Sequence, residues 1–364
     1  MYIKALHLKN YRNYSDYCVD LKEGLNLVIG ENAIGKTNLL ESIYFLENGR
    51  SHRTSNYQEL IKWKDGFSTI KASIRRMERD LLVEAKILKA GGKQIMVNGV
   101  VQKNLRGKIR PVCTVIFTPD HLKIVKDVPE CRRSYIDEIL EKIKANYSYW
   151  RQQYVKILRQ RNVLLKNVHI GRMKGDIIDY WDKQIIGVGA RIIFARKSII
   201  EKLEETAKEA YKKITDTDST LLLRYENQLL LEGDSVESLE RRYAKELEKK
   251  RGVEIERGQT VIGPHRDDLG LYVKGVDIRT FGSQGEQRST ALALKLAEFS
   301  AMTDSIKEQP ILLLDDVMSE LDETRRRALM SSINNGTQTI ITSTNIEYFG
   351  ESDVSMANII RIGQ

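Results

Sequence analysis

Residues 30–37 limit the possible folds of this chain more than any other part of the sequence. They run Gly-Glu-Asn-Ala-Ile-Gly-Lys-Thr and fit the pattern G-x-x-x-x-G-K-[ST], between an apolar run ending at Ile29 and an amphipathic stretch at residues 38–46. A strand, a glycine-containing loop and a helix in this order surround phosphate groups with backbone N–H groups and a helix N-terminus. The sequence therefore predicts an α/β domain with a phosphate-binding P-loop.

The polar residues at the end of this loop predict ATP and Mg²⁺ as cofactors. Lys36 is expected to reach the β- and γ-phosphates, and the Thr37 hydroxyl is expected to bind Mg²⁺. We predict nucleotide contacts, mainly through the backbone, for every residue of the loop: Gly30, Glu31, Asn32, Ala33, Ile34, Gly35, Lys36 and Thr37. The Ile34 side chain is expected to point away from the phosphates.

A second element supplies carboxylates for the same chemistry. Residues 311–316 run Ile-Leu-Leu-Leu-Asp-Asp, which indicates a buried strand ending in two acids, the Walker B pattern. Asp315 is predicted to hold the metal ion directly or through water. Asp316 is predicted to be catalytic, because a carboxylate beside the γ-phosphate can orient water and accept its proton.

The overall composition is that of a globular protein with an anionic partner. Lys and Arg exceed Asp and Glu by 59 to 50, which gives a formal charge of +9. This excess favours binding to a polyanion, although any one basic cluster is more simply a solvated surface. No apolar run is long enough to span a membrane, and no signal peptide is recognisable, so we expect a cytoplasmic protein. The three cysteines are widely spaced and predict neither a disulfide nor a zinc site.

The periodicity of apolar residues divides the chain into three parts. Residues 1–115 are predicted to form short strands, and residues 116–255 an inserted α-helical domain. Residues 256–364 are predicted to complete the first domain. Within the helical block, apolar residues recur every seven positions over residues 136–164 and again over 178–199, which favours two long helices paired as a hairpin. An ordinary helical bundle fits the same periodicity, and a third helix is expected to end at Gly252.

Further motifs give the chain its resemblance to a known family. The stretch Ser-Gln-Gly-Glu-Gln at residues 283–287 precedes Walker B and opens a helical run, as the signature motif does in ABC ATPases, and residues 319–322 are similar to their D-loop. The chain resembles the RecF family of ABC/SMC-type ATPases over nearly its whole length, in blocks at residues 8–14, 49–54, 117–122 and 263–269.

This resemblance implies an ABC-type head of two lobes that carries a short helical domain. It also implies that two subunits dimerise when ATP is bound, with Ser283 and Gly285 of one subunit facing the γ-phosphate held by the other. Glu286 and Gln287 belong to the same predicted contact, and Arg12 is a further candidate for nucleotide binding by analogy. The family binds single-stranded and double-stranded DNA and favours their junctions. It works with RecR and RecO and promotes RecA loading in replication and repair.

Two departures from the transporter pattern predict slow ATP hydrolysis. Residues 342–345 follow an apolar strand without the switch histidine, and residues 116–120 contain no Q-loop glutamine. These absences also count against the alternative of a membrane transporter's nucleotide-binding subunit. A nuclease or a structural SMC-like protein is the other alternative. No carboxylate-rich nuclease domain follows the last motif, and the helical block is short for a ring-forming coiled coil.

Overall fold

The computed structural model describes residues 1–102, 110–231, 233–333 and 336–363. The chain forms two compact units, each assembled from separate segments. The first unit comprises Met1–Leu122, Glu209–Ser219 and Arg288–Gln364, and the second comprises Lys123–Lys208 and Thr220–Gln287. The domain boundaries expected at residues 115 and 255 stay predictions. All three cysteines are free thiols.

The strands of the described residues are, in chain order, β1 (Tyr2–Tyr11), β2 (Tyr14–Asp20), β3 (Leu25–Ile29), β4 (Phe67–Arg76), β5 (Arg79–Leu88), β6 (Lys93–Val97), β7 (Val100–Val101), β8 (Thr114–Phe117), β9 (Leu221–Glu226), β10 (Asp268–Val273), β11 (Val276–Asp277), β12 (Ile311–Asp315), β13 (Thr339–Ser343) and β14 (Asn358–Arg361). The α-helices are α1 (Lys36–Asn48), α2 (Lys123–Lys126), α3 (Pro129–Ile143), α4 (Tyr147–His169), α5 (Ile178–Thr215), α6 (Val236–Arg257), α7 (Ile278–Phe281), α8 (Gln284–Ile306), α9 (Glu323–Ser332) and α10 (Glu351–Met356). Short 3-10 turns lie at Tyr57–Leu60, Pro119–Leu122, Gly175–Ile177, Val317–Glu320 and Ile346–Tyr348.

A parallel sheet in the first unit brings the predicted motifs to one edge. Within the described residues its strand order is β14-β3-β13-β12-β8, and all its neighbours run parallel. Every residue of β12 and β13 is buried, which explains the continuous apolar run of β12. The carboxyl ends of parallel strands meet at one sheet edge, so the end of β3 at Ile29 and the end of β12 at Asp315 lie at the same edge, where α1 begins.

An antiparallel sheet, ordered β2-β1-β4-β5-β6-β7 over the described residues, shares its core with the parallel sheet. Helix α1 contributes Leu39, Leu40 and Ile43 to this core, and none of the three is exposed to solvent. Burying each such side chain contributes about 1.5–3 kcal/mol to folding. This packing fixes α1, and with it the loop that precedes α1.

The second unit contains most of the long helices and, in its described residues, the sheet β11-β10-β9. The seven-residue series over residues 178–199 is confirmed as the buried face of α5, because Ile178, Ile185, Ile192 and Ile199 are all at most 3% exposed. That the helical domain is an insert within the first domain stays a prediction.

The first seven-residue series does not form one helix, and that expectation is wrong. The chain turns between α3 and α4, where Lys144 has an extended backbone. The turn buries Tyr147 completely and lets its hydroxyl donate to Asp137 Oδ1 at 2.5 Å. In a continuous helix these two residues would lie about 15 Å apart along the axis. Burial of the tyrosine and its hydrogen bond therefore override the repeat.

The helix expected to end at Gly252 continues to Arg257. Its end lies at Gly258, which adopts the left-handed conformation with φ of 61° and donates its N–H to Glu254 and Ile255. A Cβ at Gly258 would lie 2.8 Å from Lys166 Cγ, so this position also needs glycine for space. Gly252 is tolerated within the helix at a cost of about 1 kcal/mol relative to alanine.

Candidate phosphate-binding site

The P-loop is held in shape by the β1–β2 hairpin. Asn13 Nδ2 donates to the Ile34 carbonyl at 2.7 Å, and the Tyr14 hydroxyl donates to the Gly35 carbonyl at 3.1 Å. Gly35 has φ of 123°, and a Cβ there would lie 2.7 Å from Asn13 Nδ2. Only glycine combines this backbone conformation with such close contacts. The hairpin and Gly35 together fix the path of the loop.

Helix α1 begins at Lys36 without a side-chain cap. The first N–H groups of a helix have no partner within the helix, and the aligned peptide dipoles make this end partly positive. With glycine at the N-cap, no side chain covers these donors. The end of α1 is therefore suited to an anion.

The Lys36 side chain folds over its own loop. Its Nζ donates to the carbonyls of Gly30 at 2.6 Å and Glu31 at 2.8 Å. Burial lowers the pKa of Lys36, while the nearby carboxylates of Asp316 and Asp315 oppose that shift. The loop thus concentrates a cation and several N–H donors at one point, which is what phosphate oxygens require.

The Asp315 carboxylate, at the end of β12, meets two hydroxyl groups. Thr37 Oγ1 donates to Asp315 Oδ1 at 3.0 Å, and Thr342 Oγ1 donates to the same atom at 2.8 Å. Burial raises the pKa of Asp315, the two hydroxyl donors lower it, and the adjacent Asp316 raises it. A threonine hydroxyl beside a carboxylate is an all-oxygen donor set, which suits Mg²⁺. Thr37 and Asp315 therefore fit the predicted metal site.

Asp316 has an unusual backbone and an unpaired oxygen. It adopts the left-handed conformation with φ of 50°, and its N–H donates to Thr342 Oγ1 at 2.9 Å. Its Oδ1 is buried without a hydrogen-bond partner among the described residues. Burial raises the pKa of Asp316, and the Lys36 ammonium opposes this shift. A strained backbone that carries an unsatisfied carboxylate oxygen is typical of a residue that acts on a ligand.

These groups surround one cavity of about 390 Å³ in the first unit. Its lining residues are Asn32, Ala33, Gly35, Lys36, Thr37, Asn38, Arg53, Asp315 and Asp316. Asn38 and Arg53 were not predicted from the sequence as site residues. Arg53 does belong to the block at residues 49–54 that resembles the RecF family. Arg53 donates to Asn38 Oδ1 at 2.9 Å, and this hydrogen bond joins the two extra residues. Gly30, Glu31 and Ile34 contribute to the loop through their carbonyl groups, as described above.

Comparisons with known proteins agree with this geometry. The family model for the RecF/RecN/SMC N terminal domain matches residues 2–361. The DNA replication and repair protein RecF of Clostridium tetani is 40% identical over 347 residues, which cover 95% of this chain and 94% of that protein. RecF of Pediococcus pentosaceus is 38% identical and aligns over 100% of this chain and 97% of its own length. The chain belongs to the RecF family.

Solved structures extend the RecF match to three dimensions. The recombination mediator protein RecF-ATPrS of the RecFOR pathway superposes with a TM-score of 0.88 at 32% identity, covering 100% of this chain and 98% of that one. An Smc head bound to the C-winged helix domain of ScpA superposes with a TM-score of 0.56 at 17% identity, over 95% and 90% of the two chains. The predicted α/β fold of an ABC/SMC-type head is confirmed. No helix in the described residues is long and apolar enough to cross a membrane.

Arg12, which the RecF-family pattern suggested as a nucleotide contact, is engaged elsewhere. Its Nε and Nη2 atoms donate to the two carboxylate oxygens of Glu41 at 2.9 and 2.7 Å. Glu41 is fully buried in α1. Burial raises the pKa of Glu41, but the hydrogen bonds from Arg12 and Ser51, together with the charges of Arg12 and Arg53, lower it overall. Arg12 does not line the phosphate cavity, so its nucleotide contact stays a prediction.

The segment predicted to be the signature motif, residues 283–287, lies at the start of helix α8. Ser283 Oγ donates to Glu286 Oε2 at 2.8 Å, and the Ser283 N–H donates to the same oxygen at 2.8 Å. Ser283 is exposed, Gly285 is half-buried, and the buried Gln287 side chain donates to the Ile278 carbonyl at 3.2 Å. These residues belong to the second unit, whereas the P-loop belongs to the first. Their exposed end is free to meet another molecule.

Proposed function

We propose that this chain is an ATP-dependent DNA-binding protein that mediates recombinational repair and acts as a slow ATPase. The observation that carries the proposal is the convergence of Lys36, Thr37, Asp315 and Asp316 on one cavity. RecF relatives bear the name DNA replication and repair protein, and a solved RecF of the RecFOR pathway is described with ATP. Membership of that family supports the same role here.

Four side chains of the cavity have defined roles in the proposed reaction, namely those of Lys36, Thr37, Asp315 and Asp316. The loop N–H groups and Lys36 hold the phosphates and offset their charge. Thr37 and Asp315 would hold Mg²⁺, which would supply charge stabilisation at the phosphate oxygens. Asp316, which lines the cavity, accepts the proton of the attacking water on its carboxylate. We assign Asp316 as the catalytic base, because its carboxylate lines the cavity and its Oδ1 has no hydrogen-bond partner among the described residues.

The carboxyl end of β13 supports slow turnover. Thr342 is the next-to-last residue of this strand, which continues to Ser343, and its hydroxyl contacts both Asp315 and the Asp316 N–H. A hydroxyl engaged in this way positions the two acids but provides no ring nitrogen to take part in proton transfer. Hydrolysis that is slow relative to binding suits a switch, in which the lifetime of bound ATP sets the lifetime of a complex.

The complex that ATP would stabilise is a homodimer. In it, the exposed Ser283 and Gly285 of each subunit face the γ-phosphate bound by the other, so ATP becomes part of the interface. The dimer binds gapped DNA or duplex–single-strand junctions in the cytoplasm. With RecR and RecO it promotes RecA loading. The net charge of +9 per chain supports a DNA partner, because dimerisation brings two basic surfaces together.

Light scattering during size exclusion, with ATP, ADP or no nucleotide, tests the dimer. Fluorescence anisotropy on duplex, single-stranded and junction DNA under the same conditions tests DNA binding. We expect a dimer and tighter DNA binding only with ATP and Mg²⁺. A monomer that binds DNA equally well without nucleotide would contradict the ATP switch. Retention on membranes instead of DNA would favour a transporter subunit.

A further inference from the structure

Helix α4 differs in charge from its neighbour in the second unit. It contains five basic residues and no acidic residue, whereas α6 contains seven basic and six acidic residues. The acid-free stretch extends beyond the helix, over residues 142–175. A solvated helix of a globular protein normally mixes both signs, as α6 does. The absence of acidic residues from α4 therefore favours a surface that binds a negatively charged partner.

Two of the five cations have structural roles. Arg151 donates to Glu141 at 2.9 Å and lies 3.1 Å from Asp137. Arg161 is completely buried and binds the carboxylates of Asp182 and Glu254. Both arginines are thus paired with carboxylates of the same unit, and Arg161 is also shielded from any ligand by its burial.

The other three cations, Lys156, Arg159 and Lys166, are exposed, and among the described residues no carboxylate forms an ion pair with them. At 100° per residue they occupy an arc of about 80° on one side of the helix, and at 1.5 Å per residue they span about 15 Å. Successive phosphates of one DNA strand advance about 3.4 Å along the duplex axis, so this length covers about four phosphates.

We propose that this face of α4, defined by Lys156, Arg159 and Lys166, binds the phosphate backbone of DNA. The inference rests on the proposed DNA-binding function and assigns that function to a surface. Protein interfaces are depleted of lysine at their centre, whereas DNA interfaces are strongly positive. The exposed Val155 and Val163 are separated by cations, so the face has no continuous apolar stripe to enter a membrane. Contacts to phosphates alone make this binding independent of sequence.

The test is a full-length triple variant, Lys156→Gln, Arg159→Gln and Lys166→Gln, in DNA titrations at several salt concentrations with ATP and Mg²⁺. Each phosphate contact contributes about 0.9 to the slope of log affinity against log salt, so we expect a slope smaller by about 2.7. Affinity at about 0.1 M salt is expected to fall at least tenfold. The matched control is Arg241→Gln, Lys245→Gln and Lys250→Gln on the exposed side of α6, which changes the net charge equally.

The outcomes separate this surface from the function on which it rests. If the triple variant binds DNA as the control does, the surface proposal is wrong, and the α4 face is left to an acidic protein partner. If the unmodified protein binds no DNA, the proposed function fails together with the surface. Thermal melts and the ATP-dependent dimer check folding. Should the triple variant not fold, each single glutamine variant is expected to reduce the slope by about 0.9.

Discussion

Thr37 Oγ1 and Asp315 Oδ1 share a hydrogen bond of 3.0 Å although the two residues are 278 positions apart in the chain. The contact forms because α1 begins at the carboxyl edge of the parallel sheet, where β12 also ends. This hydrogen bond between protein side chains joins the two halves of the candidate metal site. The site is thus assembled by the fold, and its parts are open to separate tests.

Lys36→Ala is expected to weaken ATP binding by tenfold or more. A charge-assisted hydrogen bond contributes about 1.5–3 kcal/mol, and Lys36 is the lysine that lines the phosphate cavity. Isothermal titration of ATP in the presence of Mg²⁺ measures the change. The exposed Lys9→Ala serves as control, and equal affinities for the two variants would contradict the role of Lys36.

Asp316→Asn is expected to preserve ATP binding and slow hydrolysis by about a hundredfold or more, since an amide cannot accept the proton of water. Asparagine tolerates the left-handed backbone of Asp316, so the substitution changes the charge with little change of strain. Single-turnover hydrolysis and nucleotide titration together separate the two effects. Unaltered turnover would mean that another group is the base.

Ser283→Arg is expected to retain ATP binding and lose the ATP-dependent dimer, because Ser283 is exposed where the partner's nucleotide would lie. Ser283 Oγ also accepts from the Glu286 N–H at 3.3 Å at the start of α8, and loss of this cap costs about 1 kcal/mol, which a thermal melt will show separately. Ser305→Arg, exposed in the last turn of the same helix, is the control. Light scattering in the presence of ATP measures whether the variant dimerises. A dimer of normal stability would exclude the predicted contact between Ser283 and the nucleotide of the partner subunit.

His265 makes the stability of the protein depend on pH. Burial lowers its pKa to about 4, and the ring contacts the Tyr154 hydroxyl at 2.7 Å and the Thr260 carbonyl at 3.1 Å. The unfolded chain, with an ordinary histidine pKa near 6.5, binds a proton that the folded chain excludes between about pH 6.5 and 4. The contribution of His265 to stability is therefore complete above this window and is lost as the pH drops through it, by at most about 3 kcal/mol.

Urea unfolding at pH 7 and pH 4.5 measures this loss. His265→Gln removes the titrating group and is expected to show a smaller difference between the two pH values than the unmodified protein. His169→Gln, at an exposed position, controls for the substitution itself. Equal pH dependence in the His265 variant and the unmodified protein would contradict the assignment.

The candidate phosphate site was largely predictable from the sequence because its motifs are local. The P-loop and Walker B patterns each specify a strand, its end and the polar residues that follow, so the sequence pointed directly to Lys36, Thr37, Asp315 and Asp316, which line one cavity. Asn13 and Tyr14, which hold the loop, were not assigned to it, because their contacts depend on how the β1–β2 hairpin packs. Contacts between segments that are distant in the chain produce no periodic pattern in the sequence.

The helical part was harder to predict for a related reason. A seven-residue repeat reports which side of a helix is buried, and it did so correctly for α5. It does not report where a helix stops. The turn before Tyr147 depends on a hydrogen bond to Asp137, and the end of α6 lies at Gly258, where a side chain would clash with Lys166. Both are tertiary contacts that no local pattern encodes.

The hydrogen bonds from the β1–β2 hairpin to the P-loop also affect how fast the loop opens. A surface loop of this length normally opens independently and exchanges its amide hydrogens quickly. Here, opening requires Asn13 and Tyr14 to release the carbonyls of Ile34 and Gly35. The amide hydrogens of the loop should then exchange at the rate at which the antiparallel sheet opens locally. A substitution in an edge strand of that sheet would therefore change the opening rate of the phosphate site.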